Sequence, residues 1–151
     1  MSDGADEGTI ELDGKTEGDE RQLVMIVEDS DIDATLLKRV LSRLRPEVDV
    51  VRTRDGLDAI EALEGPRRPD LIIMDIRMPR MSGREALVEI KATAELKRIP
   101  IIMMSTSNDE VDVEYCYDHH ANAYVAKSFS AKEGKTMENL VKFWLGTVEL
   151  A

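Results

Sequence analysis

The sequence predicts an α/β fold, a five-stranded parallel sheet with helices on both faces. Three observations predict it. After residue 20, short apolar runs alternate with longer segments of helical period, which is the pattern of β-α-β units. The runs carry almost no polar residues, as strands covered on both faces require. With 151 residues, 42% of them apolar, the chain can close one core, whereas two would be cramped.

The strands are expected at Leu23 to Val27, Val48 to Val51, Leu71 to Met74, Ile101 to Met104, and the shorter Ala123 to Ala126. Between the first two lies DIDATLLKRVLSRL, with Ile32, Leu36, Leu37, Val40, Leu41 and Leu44 at helical spacing and Pro46 as a stop. The second helix is short, Leu57 to Leu63. The third runs from about Arg84 to Ala94 after a Ser82-Gly83 turn. The fourth opens with Ser107 and Glu110 and the fifth with Ser130 and Glu133, both in the spacing of a capping box. The fifth is expected to bury a stripe through Met137, Leu140, Val141, Trp144, Leu145 and Val148, leaving Phe143 and Leu150 on another side. Cys116 reads as a buried core thiol of the fourth helix and His119 and His120 as helix-terminal residues, while Met25, Met74, Met103 and Met104 read as core filling.

The net charge of −11 is unevenly spread. Residues 1–20 hold eight acids against Lys15, a charge of −7, and the other 131 residues carry −4. That segment has almost nothing to bury and reads as a disordered acidic tail that favours solubility, leaving 21–151 as the folded domain. An acidic chain without a basic stripe is a poor ligand for nucleic acid. No apolar run approaches the roughly 18 residues of a membrane span, no secretory leader opens the chain, and a lone cysteine makes no internal disulfide. A cytoplasmic location is expected.

In a parallel sheet all carboxyl ends lie along one edge, where ligands bind at the switch in strand order. Glu28 and Asp29 follow the first strand and Asp75 the third, which are neighbours in the flavodoxin-like order 2-1-3-4-5. Three carboxylates would converge there and repel unless a cation sits among them. Mg²⁺ suits such a site, taking a few carboxylates, a carbonyl and waters. Ser105, ending the fourth strand, offers a hydroxyl, and Lys127, ending the fifth, an ammonium. Together these groups describe a site in which Asp75 accepts a phosphoryl group. Each alone has a plainer reading: Asp at a strand end is often a turn residue or cap, Ser a local hydrogen-bonder, Lys a solvated charge. Five suitable groups on four strand ends at one edge are hard to assign to chance.

The acidic pair in VMIVEDS, the DIRMPRMSG segment, the hydroxyl in IIMMSTS and the lysine in AYVAKSF resemble the response-regulator receiver domains of two-component signalling, in order and spacing, from about residue 21 to the C-terminus. HHANAYVAKSF and FWLGTVEL look most similar to small stand-alone regulators partnered with phytochromes. The resemblance implies that Asp75 takes phosphate from a histidine kinase's phosphohistidine. Asp29 and Asp75 would ligate Mg²⁺, with Glu28 orienting a metal-bound water and the backbone carbonyl of Arg77 completing the protein's share. Ser105 and Lys127 would hold the phosphoryl oxygens. Tyr124 matches the aromatic switch that turns inward when Ser105 is drawn to phosphate; its plainer reading is a half-buried strand tyrosine.

The departures are Ser105 for the usual Thr, Thr106 for Ala, and Ser128 where the family has a cis proline. A cis bond before a non-proline residue costs about 2.5–4 kcal/mol, so the placement of Lys127 is the part of the correspondence most in question. Output is expected by contact through the face of the fourth helix, fifth strand and fifth helix, to the kinase, an effector the sequence does not name, or a second copy in a homodimer. Three rival readings compete with this one. A haloacid dehalogenase-type phosphatase needs a second acid where Arg77 stands, and an FMN carrier needs a phosphate loop where EDSDID would repel phosphate. The third is a receiver no longer phosphorylated that serves as a protein-binding module.

Overall fold

The computed structural model describes residues 21–127 and 133–151. The acidic tail, the Lys127–Ser128 bond and the Ser130 half of the last capping box therefore lie outside the described residues. In chain order the elements are β1 (Leu23–Val27), α1 (Asp31–Leu44), β2 (Asp49–Thr53), α2 (Gly56–Leu63), β3 (Leu71–Met74), α3 (Gly83–Ala92), β4 (Ile101–Ser105), α4 (Glu110–Asp118), β5 (Ala123–Ala126) and α5 (Glu133–Lys142), followed by a π-helical turn, Phe143–Thr147. The strands form one parallel sheet in the order β2-β1-β3-β4-β5, as expected.

Alternation along the strands builds two cores. Met25, Val27, Ile72, Met74, Ile101 and Met103 face one side and pack with α2, α3 and α4 through Ala59, Leu63, Leu87, Ile90 and Cys116. Val24, Ile26, Leu71, Ile73, Ile102 and Met104 face the other and pack with α1 and α5 through Leu37, Leu41, Met137, Leu140 and Val141. Because both faces are covered, the strands need continuous apolar runs, which is why they were legible as runs.

Several local expectations are corrected. On α1 the buried stripe is Ala34, Leu37, Val40 and Leu41, while Ile32 is 74% exposed and Leu36 37%. Each step of four residues back from Val40 turns about 40° around the axis, which carries Leu36 and then Ile32 out of the interface. α4 is not capped by Ser107. Asp109 accepts from the Val111 N–H at 2.9 Å, and the Ser107 hydroxyl donates to the buried Asp112 at 2.7 Å. Leu150 packs against the second core, because the chain leaves the π-helical turn extended at Val148 and folds back; Val148 itself is only half-buried. Phe143 is exposed as expected.

The loop between β3 and α3 positions the site. Ser82 and Glu85 form a capping box at the start of α3, and the Gly83 N–H donates to the Ile76 carbonyl at 2.7 Å. A Cβ on Gly83 would lie 2.0 Å from the Asp75 carbonyl oxygen, inside any tolerable contact and against backbone rather than a flexible side chain. Gly83→Ala should therefore cost about 3 kcal/mol, the upper range of overpacking, in urea unfolding. A midpoint equal to the wild type would mean that the helix has slack to retreat from Asp75.

Candidate active site

Backbone ladder bonds running one residue past the strands fix the site. Asp75 N–H donates to the Val27 carbonyl at 3.0 Å, Glu28 N–H to Thr53 at 3.0 Å and Lys127 N–H to Ser105 at 2.6 Å. Val27 pairs with Met74, so the residues that follow them, Glu28 and Asp75, come side by side. Glu28, Asp29 and Asp75 each offer a carboxylate oxygen, and those oxygens all lie within 4.8 Å of one another.

The three acids differ in surroundings. Glu28 is buried; one oxygen accepts from the Ser30 N–H at 3.2 Å and the other from Lys127 Nζ at 2.5 Å. Its backbone carbonyl accepts two bonds from Arg52, at 3.0 and 2.8 Å. Asp29 is exposed. Asp75 has one oxygen, Oδ1, accepting from the Ile76 N–H at 2.7 Å, while Oδ2 faces Lys127 Nζ at 3.5 Å. Two partly buried carboxylates at such a separation repel by about 3–4 kcal/mol at an effective dielectric near 20. Burial pushes the Glu28 carboxyl up, to about 7, with Lys127's hydrogen bond drawing it back and the charge of Asp75 adding to the rise.

Lys127 stays in the site. Its side chain is only 6% exposed, and burial alone would lower its pKa, yet hydrogen bonds to Asp33 and Glu28 outweigh that and raise it. Ser105 is buried at the end of β4, its oxygen accepting from the Ser107 N–H at 3.3 Å. Arg77's side chain is 75% exposed and reaches Asp112 at 3.9 Å, away from the acids. Tyr124 is half-buried against the first core, and its hydroxyl donates to the Ser107 carbonyl at 2.5 Å; burial raises its pKa.

Sequence reasoning missed three side chains. Asp33, on the first turn of α1, accepts from Lys127 Nζ at 2.8 Å, a partner 94 residues away. Asp55, buried at the start of α2, takes a bidentate pair from Arg80 at 2.7 and 3.1 Å. Asp112 joins Ser107, Arg84 and Arg77. The last two are long-range pairs that no spacing announces.

The donor set fits a hard dication. Three carboxylates meet within reach of one ion, with no sulfur or imidazole among them, and the Lys127 ammonium lies against Glu28 to offset part of their crowding.

A family model for the response regulator receiver domain matches residues 24–138. Response regulator Rcp1 of Synechocystis sp. is 38% identical over 136 residues, which cover 85% of this chain and 92% of its own. The crystal structure of the Mn²⁺-bound form of Rcp1 superposes with a TM-score of 0.82 over 86% of this chain and 99% of that one. The phosphorylated cyanobacterial phytochrome response regulator RcpA is 36% identical, with a TM-score of 0.82 and coverage of 86% and 98%. The receiver domain of the sensor histidine kinase PA1611 from Pseudomonas aeruginosa, with a magnesium ion coordinated in its active-site cleft, is 30% identical, with a TM-score of 0.70 and coverage of 84% and 99%. The acid cluster of this chain stands where a sheet of this topology binds its ligand, and the likeness spans nearly all of the described residues. The chain belongs to the response regulator receiver domain family of two-component signalling.

Proposed function

We propose that this protein is a single-domain response regulator whose Asp75 accepts a phosphoryl group from the phosphohistidine of a sensor histidine kinase. The observation that carries the reading is the meeting of Glu28, Asp29 and Asp75 with Lys127 Nζ only 3.5 Å from Asp75 Oδ2. Asp75 Oδ2, the oxygen without a backbone partner, attacks phosphorus; the O–P bond forms as the P–N bond breaks, and the imidazole leaves with its electron pair. The Ile76 N–H holds the other carboxylate oxygen and so fixes the direction of attack. Lys127 turns its Nζ to a phosphoryl oxygen and Ser105 supplies a hydroxyl. Glu28, Asp29, Asp75 and the Arg77 carbonyl would hold Mg²⁺. When bound, that ion supplies positive charge against the transferring oxygens.

The signal would leave through α4-β5-α5. Tyr124 ties β5 to the loop that follows Ser105, and Val111 and Tyr117 on α4 and Phe143 after α5 present apolar surface to a kinase, an effector or a second copy. Among the described residues no helix is long and apolar enough to cross a membrane.

Intact mass after incubation with acetyl phosphate and Mg²⁺ tests the central step. The wild type should gain one phosphate, Asp75→Asn none, and chelator should abolish the gain. No gain under any donor would favour the binding-module reading.

The acid cluster also sets a pH dependence. The native Glu28 pKa lies above its ordinary 4.5, so within the window up to about 7 the folded state holds a proton that the unfolded state has lost. The stability of the chelator-treated protein should accordingly fall as pH rises from about 4.5 to about 7. Added Mg²⁺ should raise the thermal midpoint more at the upper end of that window than at the lower. The decline should be much reduced in Glu28→Gln; an equal decline there would assign it to other groups.

Phe143→Glu should leave the unfolding transition in place and shift the mass in solution toward monomer, as light scattering would read. A dimer unchanged by the substitution would count against this face.

A further inference from the structure

An ammonium group has three hydrogens to donate, and for Lys127 each has a carboxylate. Nζ lies 2.5 Å from Glu28 Oε1, 2.8 Å from Asp33 Oδ2 and 3.5 Å from Asp75 Oδ2. Glu28 and Asp75 belong to the acid trio. Asp33 does not; it comes from the first turn of α1, and its side chain is 31% exposed. Glu28, Asp33, Asp75 and Lys127 line one small cavity, closed on its apolar side by Leu37 and Met137.

We propose that Asp33 is a positioning residue for phosphoryl transfer, a carboxylate on α1 that holds the Lys127 ammonium beside Asp75. The inference rests on the reading of Asp75 as phosphoacceptor. Its warrant is the contrast between the two ends of the lysine. The main chain of Lys127 is anchored at the end of β5 by its N–H on the Ser105 carbonyl at 2.6 Å, a bond that leaves the side chain to find its own place. A four-carbon stem from that point has much rotamer freedom to lose. α1 is the opposite: fourteen residues, capped by Ser30, with Leu37 and Leu41 buried in the second core. A carboxylate on such an element fixes the head group at the far end of a stem that the backbone bond does not hold.

The distances say which contact yields. The bond to Asp75 is the longest of the three, and its acceptor is the oxygen that takes the phosphorus. Nζ exchanges that oxygen for a phosphoryl oxygen without giving up Asp33, which is no member of the metal-binding trio. Asp33 therefore acts before and after transfer, through Lys127 alone.

The test compares Asp33→Ala and Asp33→Asn, each alone and in a Lys127→Ala background. The readings are the rate of acetyl phosphate-driven phosphorylation by intact mass, Mg²⁺ affinity by calorimetry, and the thermal midpoint of metal-free protein. Asp33→Ala should slow phosphorylation about tenfold or more, the usual cost of losing an orienting partner, with Asp33→Asn between it and the wild type. Mg²⁺ affinity should change less than about twofold, a scale on which Lys127 and Asp33 are not ligands. Where Lys127 is already alanine, loss of Asp33 should slow the reaction no further, and the two losses should be non-additive in the metal-free midpoint. Wild-type or faster phosphorylation of Asp33→Ala, or the same slowing with Lys127 absent, would overturn the inference while leaving Asp75 as the acceptor. No phosphate uptake by the wild type would remove the phosphoacceptor reading and this inference with it.

Discussion

Four carboxylates share one ammonium at the carboxyl edge of the sheet. Glu28, Asp33 and Asp75 all touch Lys127, and Asp29 stands beside two of them. Such a cluster is costly in isolation, because each added negative charge raises the energy of the others, most of all at Glu28, which is buried. The rest of the domain keeps it together. Ladder bonds past the ends of β1, β3 and β5 fix the backbones of Glu28, Asp75 and Lys127, and β1 and β3 are themselves buried along their whole length. The site is therefore poised for cationic charge from outside, since the carboxylates outnumber the one ammonium that touches them among the described residues.

The loop after Asp75 meets a second constraint. α3 begins so close to β3 that Gly83 leaves no room for a side chain against the Asp75 carbonyl. Between them Arg80 adopts a φ of 64°, a region that costs a side chain energy, and its guanidinium is held by Asp55 and Asp58 from the start of α2. The ion pairs offset the strain, and the burden falls on Asp55, which is buried and also caps α2. The segment that would lend a carbonyl to the metal is thus tied at both ends, by packing at Gly83 and by charge at Arg80.

Much of this was legible in the sequence because it depends on short-range pattern. Continuous apolar runs mark strands covered on both faces, so β3 and β5 fall where the runs fall, and the acids that end them fall on one edge by topology alone. What was not legible depends on where helices sit in space. Ile32 and Leu36 share the spacing of the buried α1 stripe, yet lie on its outer margin, which the packing of α5 against α1 decides. Ser107 has the spacing of a cap, but the buried Asp112 takes its hydroxyl and Asp109 caps instead. Asp33 looked like one more acid in EDSDID. Only the arrival of Lys127 from 94 residues away gives it a partner.

The same long-range pairs connect the site to the surface. Asp112 accepts from Ser107 and Arg84 and lies near Arg77, and the Arg84 guanidinium stacks 3.8 Å above the Tyr115 ring. Tyr124 closes the set by donating to the Ser107 carbonyl. The segment from Ser105 to Ser107 is therefore bonded to α4 through Asp112 and to β5 through Tyr124, while α4 is bonded to α3 through Arg84. A displacement of Ser105 toward a group on Asp75 has to stretch these few polar bonds before it disturbs any apolar packing, because the strands beneath are close-packed and compress little. Polar contacts of good geometry at the rim, above a rigid core, have discrete alternatives rather than a continuum of strained states, so on the proposed reading charge placed on Asp75 would pass outward as a change of hydrogen-bond partner.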